Sequence, residues 1–387
     1  MSSKTTDRLN VLFVVPWDQE SGGVANVAAA LARHLHSAGH GVLFVNPGSD
    51  ERPRHKTTKA GFAGVELRLR PPYDSNRPLR SAVAFVLMFP FTLWQLIAII
   101  RSNAIRIVNI HYPGEHCVYL AFCRWLLPVR LVVSIHGMDA IRWDSPLQTS
   151  WPLRLLFRAA DLIVAPSWRF LRRCDQVLGS VPARRLAIHN GTDLAELELL
   201  ISGDQRFVLS VCSLDEWKGV DVLIRAVAIL RDRGQRLTLL IAGDGPSRSS
   251  LEKLIVSLNL EDQVTLLGWQ SRSSVVRLLQ ECTLFVLASR FETFGLALVE
   301  AMACGKAVIG TRVDGILEIV RDRENGILVD AGDADALAAA IEVVNGDGAL
   351  RQRLGDAARE RVRREFREHH MTEAYASAFR EVLASGV

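Results

Sequence analysis

Short apolar runs alternate with segments of helical spacing along this chain. Val11–Val15 is a continuous apolar run, and a glycine-rich turn follows at Ser21-Gly22-Gly23. Val24, Val27, Ala28, Leu31 and Leu35 then share one face of a helix that ends near His36. The spacing predicts strands at Val42–Val45, Val65–Leu69, Ile105–Ile110, Leu131–Ile135, Leu162–Ala165 and Arg185–Ile188, with a helix at Val118–Leu126. Such alternation makes a parallel sheet wrapped by helices.

A polar stretch from Asn190 to Gln205 interrupts the pattern and reads as a linker. The alternation restarts with strands at Phe207–Cys212, Leu237–Ala242, Val264–Leu267, Leu284–Ala288, Ala307–Gly310 and Ile327–Val329. Helices are predicted at Val220–Arg233 and Ser247–Leu258, and from Ala349 to Ser385. The expectation is therefore two doubly wound, Rossmann-like α/β domains, residues 1–195 and 206–367, with a helical tail over 368–387 that crosses back to the first. Ligands of such sheets bind beyond the carboxyl ends of the strands. Two facing domains would form a cleft with a ligand site on each side.

The 387 residues suit two or three domains, and 49% hydrophobic with 23% charged residues excludes a disordered or fibrous chain. The net charge of +4 conceals an asymmetry. Residues 1–200 hold 23 Lys and Arg against 15 Asp and Glu, whereas residues 201–387 hold 23 against 27. The basic half suggests an anionic partner, but scattered arginines without interleaved aromatics argue against nucleic acid. Six cysteines contain no Cys-x-x-Cys pair and read as reduced buried thiols of a cytosolic protein. Met1–Asn10 is polar and lacks the apolar core of a signal peptide.

Ser81–Ile100 has no charged side chain, and as a helix it would be about 30 Å long, enough to span a bilayer. Pro90 is expected to kink it. A spanning helix would separate Val11–Val15 from Ile105–Ile110, which should share one sheet, so spanning is rejected. A helix packed on a sheet needs only one apolar stripe, whereas this one is apolar all round. Its outer face points to burial or to peripheral contact with an anionic membrane, on the inner face, through residues 81–100.

Candidate chemistry is densest from Leu284 to Val329. Glu292 and Glu300 stand eight residues apart, with Phe294, Gly295 and Leu296 between them where a helix opens. Amides there would point at an anion. Glu300 could accept bonds from vicinal hydroxyls such as those of ribose, and Glu292 from hydroxyls of a transferred sugar. Asp333-Ala334-Asp335 is formally a metal motif but reads as a helix cap. His111 with His116 lacks further ligands at metal spacing, and no catalytic metal is expected.

These residues resemble the family-4 (group 1) retaining glycosyltransferases of the GT-B fold. The resemblance covers nearly the whole chain. Glu292 to Glu300 matches the family's Glu-x7-Glu element, Trp217-Lys218-Gly219-Val220-Asp221 its Lys-Gly segment, and Ala242-Gly243-Asp244-Gly245-Pro246 its Gly-x-Gly-Pro turn. Gly268-Trp269 sits where the base-side loop begins, and Gly315 with Glu318 in a Gly-rich turn. Gly22-Gly23 resembles the glycine loop, His136-Gly137-Met138-Asp139 the His-Gly-x-Asp element, and Asn190-Gly191-Thr192-Asp193 the hinge entry.

The resemblance implies a hexosyltransferase that takes a nucleotide diphosphate sugar as donor, without cofactor or metal. The acceptor would be an alcohol, and the apolar helix points to a lipid-linked saccharide in cell-surface polysaccharide or glycolipid synthesis. It assigns catalysis to His136, Lys218 and Glu292. It assigns donor binding to Gly22, Gly23, Lys218, Gly268, Trp269, Glu292, Phe294, Gly295, Leu296 and Glu300. The family places an arginine five residues before the lysine; this chain has Ser213 there, and Arg290 is a candidate substitute. The alternatives are a GT-B-fold sugar-nucleotide epimerase and a non-catalytic sugar-nucleotide-binding subunit.

Overall fold

The structure, a computed structural model, describes residues 8–15, 23–48, 50–58, 60–73, 78–137, 150–179, 181–197 and 207–385. The chain divides into two units, residues 1–189 with 371–387, and residues 190–370.

The first unit holds strands β1 (Asn10–Val14), β2 (Gly41–Pro47), β3 (Arg54–Thr57), β4 (Ala63–Leu67), β5 (Ile107–His111), β6 (Arg130–Ser134), β7 (Leu162–Ala165) and β8 (Arg184–Ala187). Their order is β3-β4-β2-β1-β5-β6-β7-β8, parallel except for the antiparallel β3–β4 pair. The central strands are covered on both faces, so they read as unbroken apolar runs. β3 is different. Arg54-His55-Lys56-Thr57 is a charged edge strand, which discourages pairing with another chain and carries no apolar alternation to predict it. The helix Glu368–Ala384 packs on this sheet through Met371, Tyr375, Phe379 and Val382.

The helix predicted at 81–100 extends over Pro78–Ser102 and keeps Pro90 within one continuous element. Phe85, Thr92, Leu96, Ile99 and Ile100 form its buried stripe. Leu79, Val83, Val86, Leu87, Phe91 and Trp94 are exposed.

The second unit holds β9 (Phe207–Val211), β10 (Thr238–Ala242), β11 (Val264–Gly268), β12 (Leu284–Leu287), β13 (Ala307–Thr311) and β14 (Ile327–Val329), all parallel, in the order β11-β10-β9-β12-β13-β14. Neighbouring side chains enter opposite cores. Val208 and Val286 pack with the helices Val220–Asp232 and Ala334–Gly346. Leu209 and Phe285 pack with Leu296–Ala303 and Gly348–Glu365.

The predicted single tail helix is two helices, Gly348–Glu365 and Glu368–Ala384. The break has a backbone cause. Thr192 N–H donates to the Phe366 carbonyl at 2.9 Å, and Glu368 N–H donates to the Thr192 carbonyl at 3.0 Å. None of the six cysteines, all among the described residues, forms a disulfide; five are buried and Cys212 is half-buried.

Candidate active site

β9 lies at the topological switch of its sheet. Chain order runs outward from it through β10 to β11, and on the other side from β12 to β14. In doubly wound sheets the connections leaving two such strands run to opposite sides, and ligands bind beyond the strand ends at that point. Both motif segments occupy such connections: Lys218 follows β9, and Glu292 follows β12.

Backbone contacts fasten the two loops together. Glu216–Lys218 forms one tight turn, ended by Gly219 at φ +63°. A side chain at Gly219 would place its Cβ 2.1 Å from the Ala288 carbonyl oxygen, so only glycine fits. Arg290 N–H donates to the Trp217 carbonyl at 2.7 Å. The Arg290 guanidinium makes two 2.7 Å bonds to the Asp221 carboxylate and one of 2.8 Å to the Glu216 carbonyl. Arg290 therefore braces the lysine turn. It is already bonded to Asp221, which counts against it as a substitute for the arginine that Ser213 replaces.

Lys218 Nζ donates to Glu292 Oε2 at 2.6 Å, and both side chains are largely buried. Burial lowers the lysine's proton affinity, yet the adjacent Glu292 carboxylate outweighs it and holds the ammonium above its ordinary value. Lys218 is thus a fixed positive charge with its partner in place. Gly315 N–H donates to the Glu292 carbonyl at 2.9 Å, which anchors that loop from beyond β13.

Gly295, at φ +103°, turns the chain into the helix Leu296–Ala303. Its carbonyl accepts the first helical bonds, from Leu298 and Val299 N–H at 3.0 and 3.1 Å. The amides of Leu296 and Ala297 precede these and have no acceptor within the helix. Phe294 contributes backbone only: its ring is buried against Phe366 at 5.8 Å between centroids.

Glu300 is buried on this helix and ion-paired. Arg272 donates to Glu300 Oε1 at 2.5 Å and to Glu196 Oε2 at 3.0 Å. Burial raises the Glu300 proton affinity, and Arg272 opposes that rise only in part. One of the two oxygens expected for ribose is therefore occupied in this state. Gly268 ends β11 at φ +70°, accepts from Gly243 N–H at 2.9 Å, and leaves Trp269 65% exposed beyond it. Asp333 caps the helix Ala334–Gly346 by accepting from Ala336 N–H at 2.9 Å, as the motif reading expected.

In the first unit, Gly22, Met138 and Asp139 lie outside the described residues. Gly23 is the first residue of the helix Gly23–Ser37. His136 follows β6, and its Nε2 lies 2.9 Å from His111 Nδ1 at the end of β5. Burial pushes His136 down to about 4, and burial with the neighbouring imidazole lowers His111 well below the ordinary range. Both rings are neutral at pH 7.

Comparison with known proteins identifies the family. Residues 195–361 match the family described as glycosyl transferases group 1, and residues 21–196 match glycosyltransferase family 4. The chain is 28% identical to the N-acetyl-alpha-D-glucosaminyl L-malate synthase of Bacillus anthracis, over 94% of each chain. It is 32% identical to the N-acetylgalactosamine-N,N'-diacetylbacillosaminyl-diphospho-undecaprenol 4-alpha-N-acetylgalactosaminyltransferase of Campylobacter jejuni, over 75% of this chain and 80% of that one. The chain belongs to the group 1 glycosyltransferases. The structure of Anabaena Alr3699/HepE in complex with UDP-glucose matches 98% of this glycosyltransferase and 100% of that chain, with a TM-score of 0.76 at 19% identity, and shows the shared GT-B fold.

The structure brings together Lys218, Glu292, Gly295 and Leu296 of this glycosyltransferase, with Glu300 on the same helix. Sequence reasoning missed Arg272 and Glu196, which meet Glu300 from other elements. Asp221 stood within the expected Lys-Gly segment but with no role assigned to it; the structure bonds it to Arg290.

Proposed function

We propose that this glycosyltransferase moves a sugar from a nucleoside diphosphate sugar to an acceptor alcohol with retention of anomeric configuration. The observation that carries the reading is the Lys218–Glu292 pair beside the Gly295-opened helix, at the switch point of the sheet. The Lys218 ammonium and the first-turn amides would meet the diphosphate, and charge building on it in the transition state would strengthen both contacts. Glu292 would hold sugar hydroxyls, and Glu300 the ribose once Arg272 yields an oxygen. Trp269 would face the base. His136, Gly22 and Gly23 complete the assignment from the first unit. The UDP-glucose bound in the structure of Alr3699/HepE supports a nucleotide-sugar donor.

Two fixed sources of positive potential make a metal unnecessary for leaving-group stabilisation in this scheme. Glu292 is bonded to Lys218, which disfavours it as a covalent nucleophile. The departing diphosphate would accept the acceptor's proton. Neither the epimerase nor the non-catalytic alternative is favoured, because the relatives are glycosyltransferases.

The acceptor is read as lipid-linked, with the enzyme cytoplasmic and peripheral on the inner face of the membrane. The exposed face of Pro78–Ser102 supports this, extended by exposed Trp125, Leu126 and Trp151. Phe89 meets Phe122, and Phe122 meets Trp125, at 4.9 and 5.4 Å between centroids. Exposed Arg80 and Arg101 stand near the ends of that helix. The diphospho-undecaprenol in the Campylobacter jejuni relative's name fits the same reading.

Incubation with UDP-, GDP- and ADP-α-glucose, with and without chelator, tests the reaction. NMR should detect α-glucose released first, at a rate unchanged by EDTA. First release of the β-anomer would exclude retention, and loss of turnover with EDTA would exclude metal independence.

A further inference from the structure

The first unit carries a line of buried polar side chains at the centre of its sheet, on strands β5 and β6 that are otherwise buried through apolar residues. Asn109 and His111 project from one face of β5, Ser134 ends β6, and Tyr375 comes from the helix Glu368–Ala384. Asn109, His111 and Ser134 have no solvent exposure, and Tyr375 has 2%. Apolar side chains would satisfy this position at lower cost, so a polar line kept there specifies something.

The bonds of the line run in one direction. Tyr375 Oη donates to Ser134 Oγ at 3.3 Å. The Ser134 hydroxyl donates to Asn109 Oδ1 at 3.0 Å. The amide is thereby oriented with Nδ2 toward His111 Nε2, at 2.9 Å. An amide nitrogen only donates, so His111 Nε2 accepts and its single proton sits on Nδ1. That Nδ1–H faces His136 Nε2 at 2.9 Å and must donate to it. The proton of neutral His136 is then on its own Nδ1.

Packing holds the rings in this arrangement. His111 and His136 lie 5.1 Å apart at an interplanar angle of 15°. Phe13 and Tyr375 flank His111 at 5.9 and 6.4 Å between centroids. Tyr112, the next residue, is held at φ +63°, a strained conformation for a side chain of this size.

We propose that Tyr375, Ser134, Asn109 and His111 are positioning residues that fix His136 as its Nδ1–H tautomer, so that His136 meets the substrate as a hydrogen-bond donor and not as a base. The proposal rests on the reading that His136 contacts the transferred sugar. Its Nε2 accepts from His111, so the hydrogen it can offer to a hydroxyl or ring oxygen is the one on Nδ1. The C-terminal helix, through Tyr375, supplies the far end of the line.

Neutron diffraction from the full chain in heavy water reads the line directly. Deuterium is expected on Nδ1 of both His111 and His136. Deuterium on His136 Nε2, directed at His111, would overturn the proposal. The variant Asn109→Asp replaces the amide donor with an acceptor and should reverse the line. With the nucleoside diphosphate glucose that wild type hydrolyses fastest, its kcat should fall at least 10-fold with KM within 2-fold. Wild-type kcat in a folded Asn109→Asp enzyme would count against the proposal. Tyr375→Phe, which removes one hydroxyl, should fold and lower kcat by a smaller factor. His136→Ala separates the two readings. Unchanged turnover in that variant, with the expected deuterium positions, removes the role of His136 and leaves the line; impaired turnover with deuterium on His136 Nε2 does the reverse.

Discussion

Lys218 and Glu292 form a buried ion pair that, in the proposed function, keeps a binding residue ready before its ligand arrives. The 2.6 Å ion pair satisfies both buried charges, and removing one partner would strand the other. Lys218→Ala should lower kcat with the productive donor by about 10²-fold or more, the range for losing one preorganised electrostatic contact. Turnover within 3-fold of wild type in a folded variant would remove Lys218 from the mechanism. His111 and His136 carry a second prediction. Their folded values are lowered, so the unfolded chain binds more protons below about pH 6.5, and stability must fall as pH drops. For His136 the loss extends from that unfolded value to about 4. Urea unfolding at pH 7.5 and 5.0 should show a smaller pH dependence in His136→Gln than in wild type. An equal dependence would mean that His136 titrates normally in the fold.

The turn Glu216–Lys218 and the loop after β12 act as one element, because Gly219 lies against Ala288 and Arg290 bonds to Asp221. Gly219→Ala would force a Cβ to within 2.1 Å of the Ala288 carbonyl oxygen. The expected result is a loss of about 1–3 kcal/mol of stability and a displaced Lys218. Its urea midpoint and kcat should both fall. An unchanged midpoint would contradict the packing argument. Most strands were legible in the sequence because parallel strands covered on both faces are continuous apolar runs, as in β1 and β12. β3 was not, because its edge position selects charge over periodicity. The break near Phe366 was not, because it depends on Thr192, distant in sequence, and on no local proline or glycine. Glu292 and Glu300 stood out through spacing and context, and Lys218 only through the family resemblance. Arg272 was not, since only the fold places it on Glu300, 28 residues on. The line to His136 left one trace: polar Asn109 and His111 alternate within an apolar strand.

For the whole molecule, the charge asymmetry and the apolar helix point to one surface. The basic half of the sequence contains the exposed face of Pro78–Ser102, where Leu87 and Trp94 are 72% and 64% exposed. Insertion of such residues beside arginines would bind anionic bilayers in a salt-sensitive way. Flotation with liposomes containing phosphatidylglycerol should carry the wild type upward, and Phe91→Asp with Trp94→Asp should reduce recovery at least 5-fold. Equal recovery of both proteins would exclude this face as the docking surface. The central claim is that the site at the end of β9 and β12 binds a nucleoside diphosphate through Lys218 and the Gly295 helix. Titration calorimetry with UDP, GDP and ADP measures it most directly. One nucleotide should bind the wild type with a single site and lose at least 10-fold in affinity to Lys218→Ala. Binding by none of the three, or equal binding by wild type and variant, would contradict the account.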